Sequence, residues 1–238
     1  MKTMLIALSL CLAGAAFAKG PKAPKGPKQG KPTQAAACPS AAQVNTKAEN
    51  DRGCKGSFIP ASMAAEWAPA TEAAFLAQNR TSQAAANAKA GKSYPAPTRS
   101  SWVPGAGKGG IRCPKYYKFK GSRRPFNLFR VYGSPGMARK EGGWWTFQDV
   151  AWKTPAQADA YRKHYAICKS WNDLKFHVSC KLKPGTVIAA GPGQSVGKQK
   201  DAKGKCANVC ANVNEKYPTD TAVQVALYNP GEFCTFGP

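Results

Sequence analysis

The chain has 238 residues and a formal charge of +23, from 35 lysines and arginines against 12 acidic residues. That length allows one domain of ordinary size and room for a second small one, and the charge points to anionic partners or surfaces without naming a polymer. Two histidines, His164 and His177, and the lack of any CxxC pair exclude the usual zinc, haem and copper constellations, so no metal is expected.

Residues 1–18 read as a signal peptide. A basic start at Lys2 leads to an apolar stretch too short to span a membrane, then to a small-x-small site at Ala16-Phe17-Ala18. A lipoprotein reading through Cys11 is weaker, because Leu10 stands where a small residue is needed. Removal of this segment leaves cysteines at 38, 54, 113, 168, 180, 206, 210 and 234. An even set in an exported chain predicts up to four disulfides, with Cys38 and Cys54 as the natural local pair. A secreted or periplasmic protein without a transmembrane segment is expected.

Residues 19–34 carry lysine at 19, 22, 25, 28 and 31 and proline at 21, 24 and 27. A period of three matches polyproline II, so the lysines line one edge at intervals of about 9 Å. This tail is a semi-rigid basic spacer, and collagen is excluded because glycine does not occupy every third position. Residues 35–110 are alanine-rich and read as an accessory segment and linker. Within them residues 71–90 favour a helix with a thin apolar face of Phe75 and Leu76. Asn79-Arg80-Thr81 is a glycosylation sequon only if the source is eukaryotic, and the Pro/Gly/Ser-rich residues 91–110 mark a boundary.

Residues 112–124 interleave cations with aromatics. The pattern suits nucleic acid, through stacking and phosphate contacts, and suits still better an edge strand with one aromatic and one basic face. Residues 126–133 follow as a strand that is apolar on both sides and therefore central. Phe126, Leu128, Arg130 and Tyr132 share one face and Phe129 and Val131 the other. A guanidinium buried there without an anion costs several kcal/mol, so Arg130 needs a carboxylate of the chain or a ligand phosphate. Gly142-Gly143 supplies turn freedom before a second aromatic strand, on which Trp144 and Thr146 point opposite to Trp145 and Phe147.

Thr154-Pro155-Ala156-Gln157 is a capping box that opens a helix running to about Ser170. Its apolar stripe is Ala158, Tyr161, Tyr165 and Cys168, with Arg162 and Lys163 outside and His164 at the edge. Residues 175–183 alternate, placing Phe176, Val178, Cys180 and Leu182 inward. Residues 191–198 resemble a phosphate loop but fail the Walker spacing at Pro192 and Gln199. Residues 221–228 form a last strand, with Gln224 polar among apolar neighbours.

The FRVYG strand at 129–133, the Gly142-Gly143-Trp144-Trp145-Thr146 strand, the Ala/Tyr-rich helix before Trp171-Asn172, the Lys183-Pro184-Gly185-Thr186 turn with its Gly191/Gly193 loop, and the Gln224-Val225 strand occur in an order that resembles ADP-ribosyltransferase-fold toxins. The pattern is similar to polymorphic-toxin ADP-ribosyltransferases of the TreTu type and to NAD glycohydrolases like tuberculosis necrotizing toxin. It spans roughly residues 126–230.

The resemblance implies an α+β domain over residues 111–238 with a small, twisted, split β-sheet core, few helices and disulfide staples. It also implies NAD as substrate, no separate cofactor, and an immunity protein as a partner. Arg130, Thr146 and Gln224 take the catalytic positions, and Arg130, Trp144, Trp145 and Tyr132 the dinucleotide-binding ones. Transferases of this fold carry a glutamate where Ala226 stands. The resemblance therefore implies NAD hydrolysis, or an inactive relative, over protein modification, with Glu141 the nearest acidic alternative. The alternative that composition keeps open is a non-catalytic exported protein binding anionic polymers or cell surfaces through residues 19–34 and 112–124.

Overall fold

Two antiparallel sheets carry the fold, in a computed structural model that describes residues 53–104, 108–121, 124–149, 152–200, 206–212, 215–217 and 221–237. The signal peptide, the basic tail and Cys38 lie outside the described residues. The larger sheet is ordered β1 (Trp67–Ala70), β2 (Lys115–Phe119), β6 (Val187–Pro192), β9 (Val223–Ala226), β4 (Trp144–Trp145). The smaller is ordered β10 (Cys234–Gly237), β5 (Phe176–Leu182), β3 (Asn127–Tyr132), and β7 (Lys198–Lys200) pairs with β8 (Cys206–Asn208) in a separate two-stranded antiparallel sheet. Among the described residues no helix is long and apolar enough to cross a membrane.

Alternation explains why the sheets face each other. On β5, Val178, Cys180 and Leu182 are buried and Lys181 is exposed; on β2, Tyr117 and Phe119 are buried and Lys118 is exposed. These side chains meet Phe126, Leu128, Trp145, Ile188, Val225 and Leu227 in one core between the sheets. The Cys180–Cys234 disulfide ties β5 to β10 at its edge.

Residues 53–104 belong to this assembly. The β1 strand pairs with β2, tolerating Pro69 because it is an edge strand. Helix α1 (Glu72–Ala90) is capped by the Thr71 hydroxyl, which accepts from the Ala74 amide, and ends at Gly91 with φ 61°. It docks through Gln78, whose side-chain amide exchanges two hydrogen bonds with the backbone of Val187 at 2.7 Å each. Phe75 and the Trp102 of α2 (Arg99–Trp102) then pack over Ile111, Ala189 and Ala226 as a second core.

Several expectations are corrected. Cys54 bonds Cys113, across the expected linker, and not Cys38. The β2 strand is interior, not an edge, with Tyr116 on one face and Tyr117 and Phe119 on the other. The sequon residue Asn79 is fully buried in α1, closed to a glycan. Phe176 is exposed and stacks on Tyr132. Helix α3 (Pro155–Tyr165) begins at the expected capping box but stops at Ala166 in the left-handed conformation, well before Ser170. Cys168 lies beyond that end, bonded to Cys210. Arg112 and Arg162, assigned to solvent-facing positions, are 5% and 7% exposed.

Candidate functional site

Among the described residues the main chains of the two sheets meet at one pair of hydrogen bonds. The Phe129 amide donates to the Thr146 carbonyl at 2.9 Å and the Thr146 amide to the Phe129 carbonyl at 2.8 Å, so β3 is bonded along both edges although it ends its own sheet. Immediately beside this seam lies Arg130, 7% exposed. Its Nε donates to the Arg139 carbonyl at 2.8 Å and Nη1 to the Trp144 carbonyl at 2.5 Å.

That guanidinium lies directly over Gly142. A Cβ there would sit 2.0 Å from Nη2. Gly143 similarly makes room for the Tyr228 ring, at 2.5 Å from a Cβ. Neither glycine has a positive φ, so the pair serves close approach and not the turn freedom expected of it.

Two carbonyl dipoles orient a guanidinium without neutralising it. Burial pulls the Arg130 pKa down to about 10, opposed by nearby Tyr161 and Glu141, and the group remains cationic at neutral pH. Among the described residues no carboxylate lies within ion-pair distance of it. Among the described residues the carboxylate partner offered by sequence reasoning is thus missing, and the buried positive charge lines a cavity.

The cavity has a volume of about 470 Å³, within the range of small-molecule sites. Arg130, Trp144, Trp145, Thr146 and Gln224 all line it. Gln224 is 6% exposed, on β9 opposite Gly191; its Nε2 donates to the Tyr165 carbonyl at 2.9 Å, and its Oε1 accepts none of the described hydrogen bonds. The Thr146 hydroxyl is 2.8 Å from the Gln148 carbonyl and 3.3 Å from that of Phe129, so it gives its proton to main chain and keeps lone pairs to accept with. Trp144 is half-buried.

Other expected residues are placed differently. Trp145 is 1% exposed, its indole nitrogen donating to the Gly142 carbonyl and its ring stacked on Phe236 at 6.3 Å. Its aromatic face is taken up by the core, which leaves Trp144 as the stacking candidate of the two. Tyr132 stacks on Phe176 and does not line the cavity. Ala226 is fully buried opposite Trp144, and Glu141 and His164 are exposed and outside the lining.

Sequence reasoning missed one part of the cavity wall. Tyr161 and Tyr165 of α3 line it with Ile167, Trp171 and Asn172, and Lys108 also contributes. Asn172 is locked: Nδ2 donates to the Val131 carbonyl at 2.9 Å, Oδ1 accepts from the Leu174 amide at 2.8 Å, and its own carbonyl accepts from Arg162 Nη1 at 2.6 Å. The signal was present in the i, i+4 spacing of the two tyrosines, which was read as a core stripe. Among the described residues the lining contains no aspartate, glutamate, histidine or cysteine, and no group of three such side chains is placed to hold a metal ion.

No protein-family model, curated protein or solved structure matches this chain.

Proposed function

We propose that this chain is an exported, toxin-like protein whose cavity binds NAD and cleaves its nicotinamide glycosidic bond. The observation that carries the reading is the convergence of Arg130, Trp144, Thr146 and Gln224, from three strands and a seam, on one cavity of about 470 Å³. In this reading Arg130 holds the pyrophosphate, Trp144 serves the nicotinamide, and Gln224 Oε1 and Thr146 Oγ1 supply acceptor oxygens for the ribose. Three disulfides, Cys54–Cys113, Cys168–Cys210 and Cys180–Cys234, fit the oxidising compartment that export supplies.

The chemistry suits so sparse a lining. The bond between ribose C1′ and the pyridinium nitrogen breaks with its electron pair going to the nitrogen, so nicotinamide leaves neutral and needs no general acid. Water adds to the oxocarbenium carbon and gives its proton to solvent, yielding ADP-ribose. The side chains position the dinucleotide, and acceptor oxygens stabilise the cationic sugar. The lining, devoid of a carboxylate among the described residues, has no base to activate an acceptor side chain, which favours hydrolysis over protein modification.

Nicotinamide release from NAD by the disulfide-intact protein tests this. Turnover that disappears in Arg130→Met is expected; equal turnover in that variant, or none in the wild type, removes the enzymatic reading. The alternative, polyanion binding, keeps Lys118, Lys120 and Arg124 as exposed cations of residues 112–124, whereas Arg112 is buried with Nε donating to the Gly193 carbonyl at 2.9 Å. Salt-sensitive heparin retention that survives Arg130→Met distinguishes it.

A further inference from the structure

We infer that the Tyr161 hydroxyl is the second ligand of the anion held by Arg130, so that one phosphoanhydride group is gripped from β3 by a guanidinium and from α3 by a phenol. The inference rests on the cavity being an anion site and deepens the NAD reading.

Both side chains line the cavity and both are 7% exposed. The Tyr161 ring is fixed between Trp152 and Tyr165, at 5.1 and 4.6 Å between centroids, so its hydroxyl has a defined direction. That hydroxyl has no hydrogen-bond partner among the described residues, nor is it sealed in protein as the Tyr228 hydroxyl is. A phenol placed only for packing would be served as well by phenylalanine, and an unused donor in so enclosed a position needs an acceptor. Arg130 stands close enough for its charge to act on the phenol, and its Nη2 makes none of the described hydrogen bonds. Burial holds the phenol well above the ordinary tyrosine range, so it retains the proton it would donate.

A single acceptor group satisfies both donors, and phosphate oxygens suit a guanidinium and a hydroxyl together. A phosphate-free cation such as nicotinamide riboside gains nothing from either.

The test is calorimetric titration of the disulfide-intact wild type and Tyr161→Phe with NAD, inorganic pyrophosphate and nicotinamide riboside. The variant keeps the ring and its packing. Loss of a hydrogen bond to a charged group predicts roughly tenfold or greater weakening for NAD and pyrophosphate, and an unchanged response to nicotinamide riboside. Pyrophosphate binding that depends on Tyr161, with no NAD binding, upholds the inference and overturns the NAD reading. Equal NAD affinity in wild type and variant overturns the inference and leaves the NAD reading standing. No binding of either phosphate compound to the wild type overturns both.

Discussion

Strand β3 runs through two regions built on opposite rules. At Leu128 it is fully buried among Trp145, Val225 and Leu227, all apolar, in the core between the sheets. Two residues later, at Arg130, it enters the wall of the cavity, where Thr146, Asn172 and Gln224 are also buried and are held largely by main-chain carbonyls. The core is closed by contact alone. The wall is closed by hydrogen bonds that satisfy donors yet leave the charge of Arg130 in place, and that difference separates what stabilises the fold from what is available to a ligand.

The contrast is broken most strongly from the core side. Leu128→Ala should lower unfolding stability by about 2–5 kcal/mol, read by guanidinium chloride denaturation with disulfides intact. The folded fraction should still bind NAD. Gly142→Ala attacks the wall: its Cβ displaces the Arg130 guanidinium and breaks bonds to two carbonyls, for a loss of roughly 1.5–3 kcal/mol together with ligand binding. Gly197→Ala, which meets nothing within 4 Å, is the control and should change stability by less than about 0.5 kcal/mol.

Asn79 sharpens the comparison from the other direction. Its amide is fully buried in the helix-covered second layer with neither nitrogen nor oxygen partnered. Asn79→Leu should therefore raise stability by about 1–3 kcal/mol in the same denaturation experiment and leave ligand affinity unchanged. A loss would mean that the amide has an internal water partner.

The smallest effect is electrostatic. Asp173 accepts from the Ser134 amide at 2.9 Å and hydroxyl at 2.6 Å, and those bonds hold its carboxyl below the ordinary range. With a depressed folded pKa, the contribution to stability is present above the unfolded value of about 3.9 and is lost as pH falls through the folded one. Urea midpoints compared across acidic pH should fall less steeply in Asp173→Asn than in the wild type.

Local chemistry made part of this legible in the sequence. The Thr154 capping box, the alternation of Val178, Cys180 and Leu182, and the opposition of Trp144 to Trp145 each follow from a period or a cap, and each holds in the structure. Long-range pairings were hidden. Cys54 bonds a cysteine far along the chain, and β1 is a four-residue edge strand containing proline, with too little pattern to announce itself. Arg162 was placed outside the α3 stripe because charge favours solvent, yet the Asn172 carbonyl, on the chain beyond the helix, accepts its hydrogen bond inside.

For the site, composition could flag Arg130 as costly in an apolar strand but could not say what met it. The answer, two carbonyls reached over Gly142, depends on backbone placement that no side-chain pattern encodes. Tyr161 was visible and misassigned, because a ring that lines a cavity and a ring that fills a core have the same helical spacing.

Arg130→Met tests the central claim most directly. The substitution removes the charge while retaining an unbranched apolar side chain, so the account predicts a change in stability of no more than about 1 kcal/mol. Calorimetric titration with NAD should show saturable binding to the disulfide-intact wild type and none to this variant. A variant that folds and binds NAD as the wild type does would contradict the assignment of Arg130 as the ligand's phosphate contact.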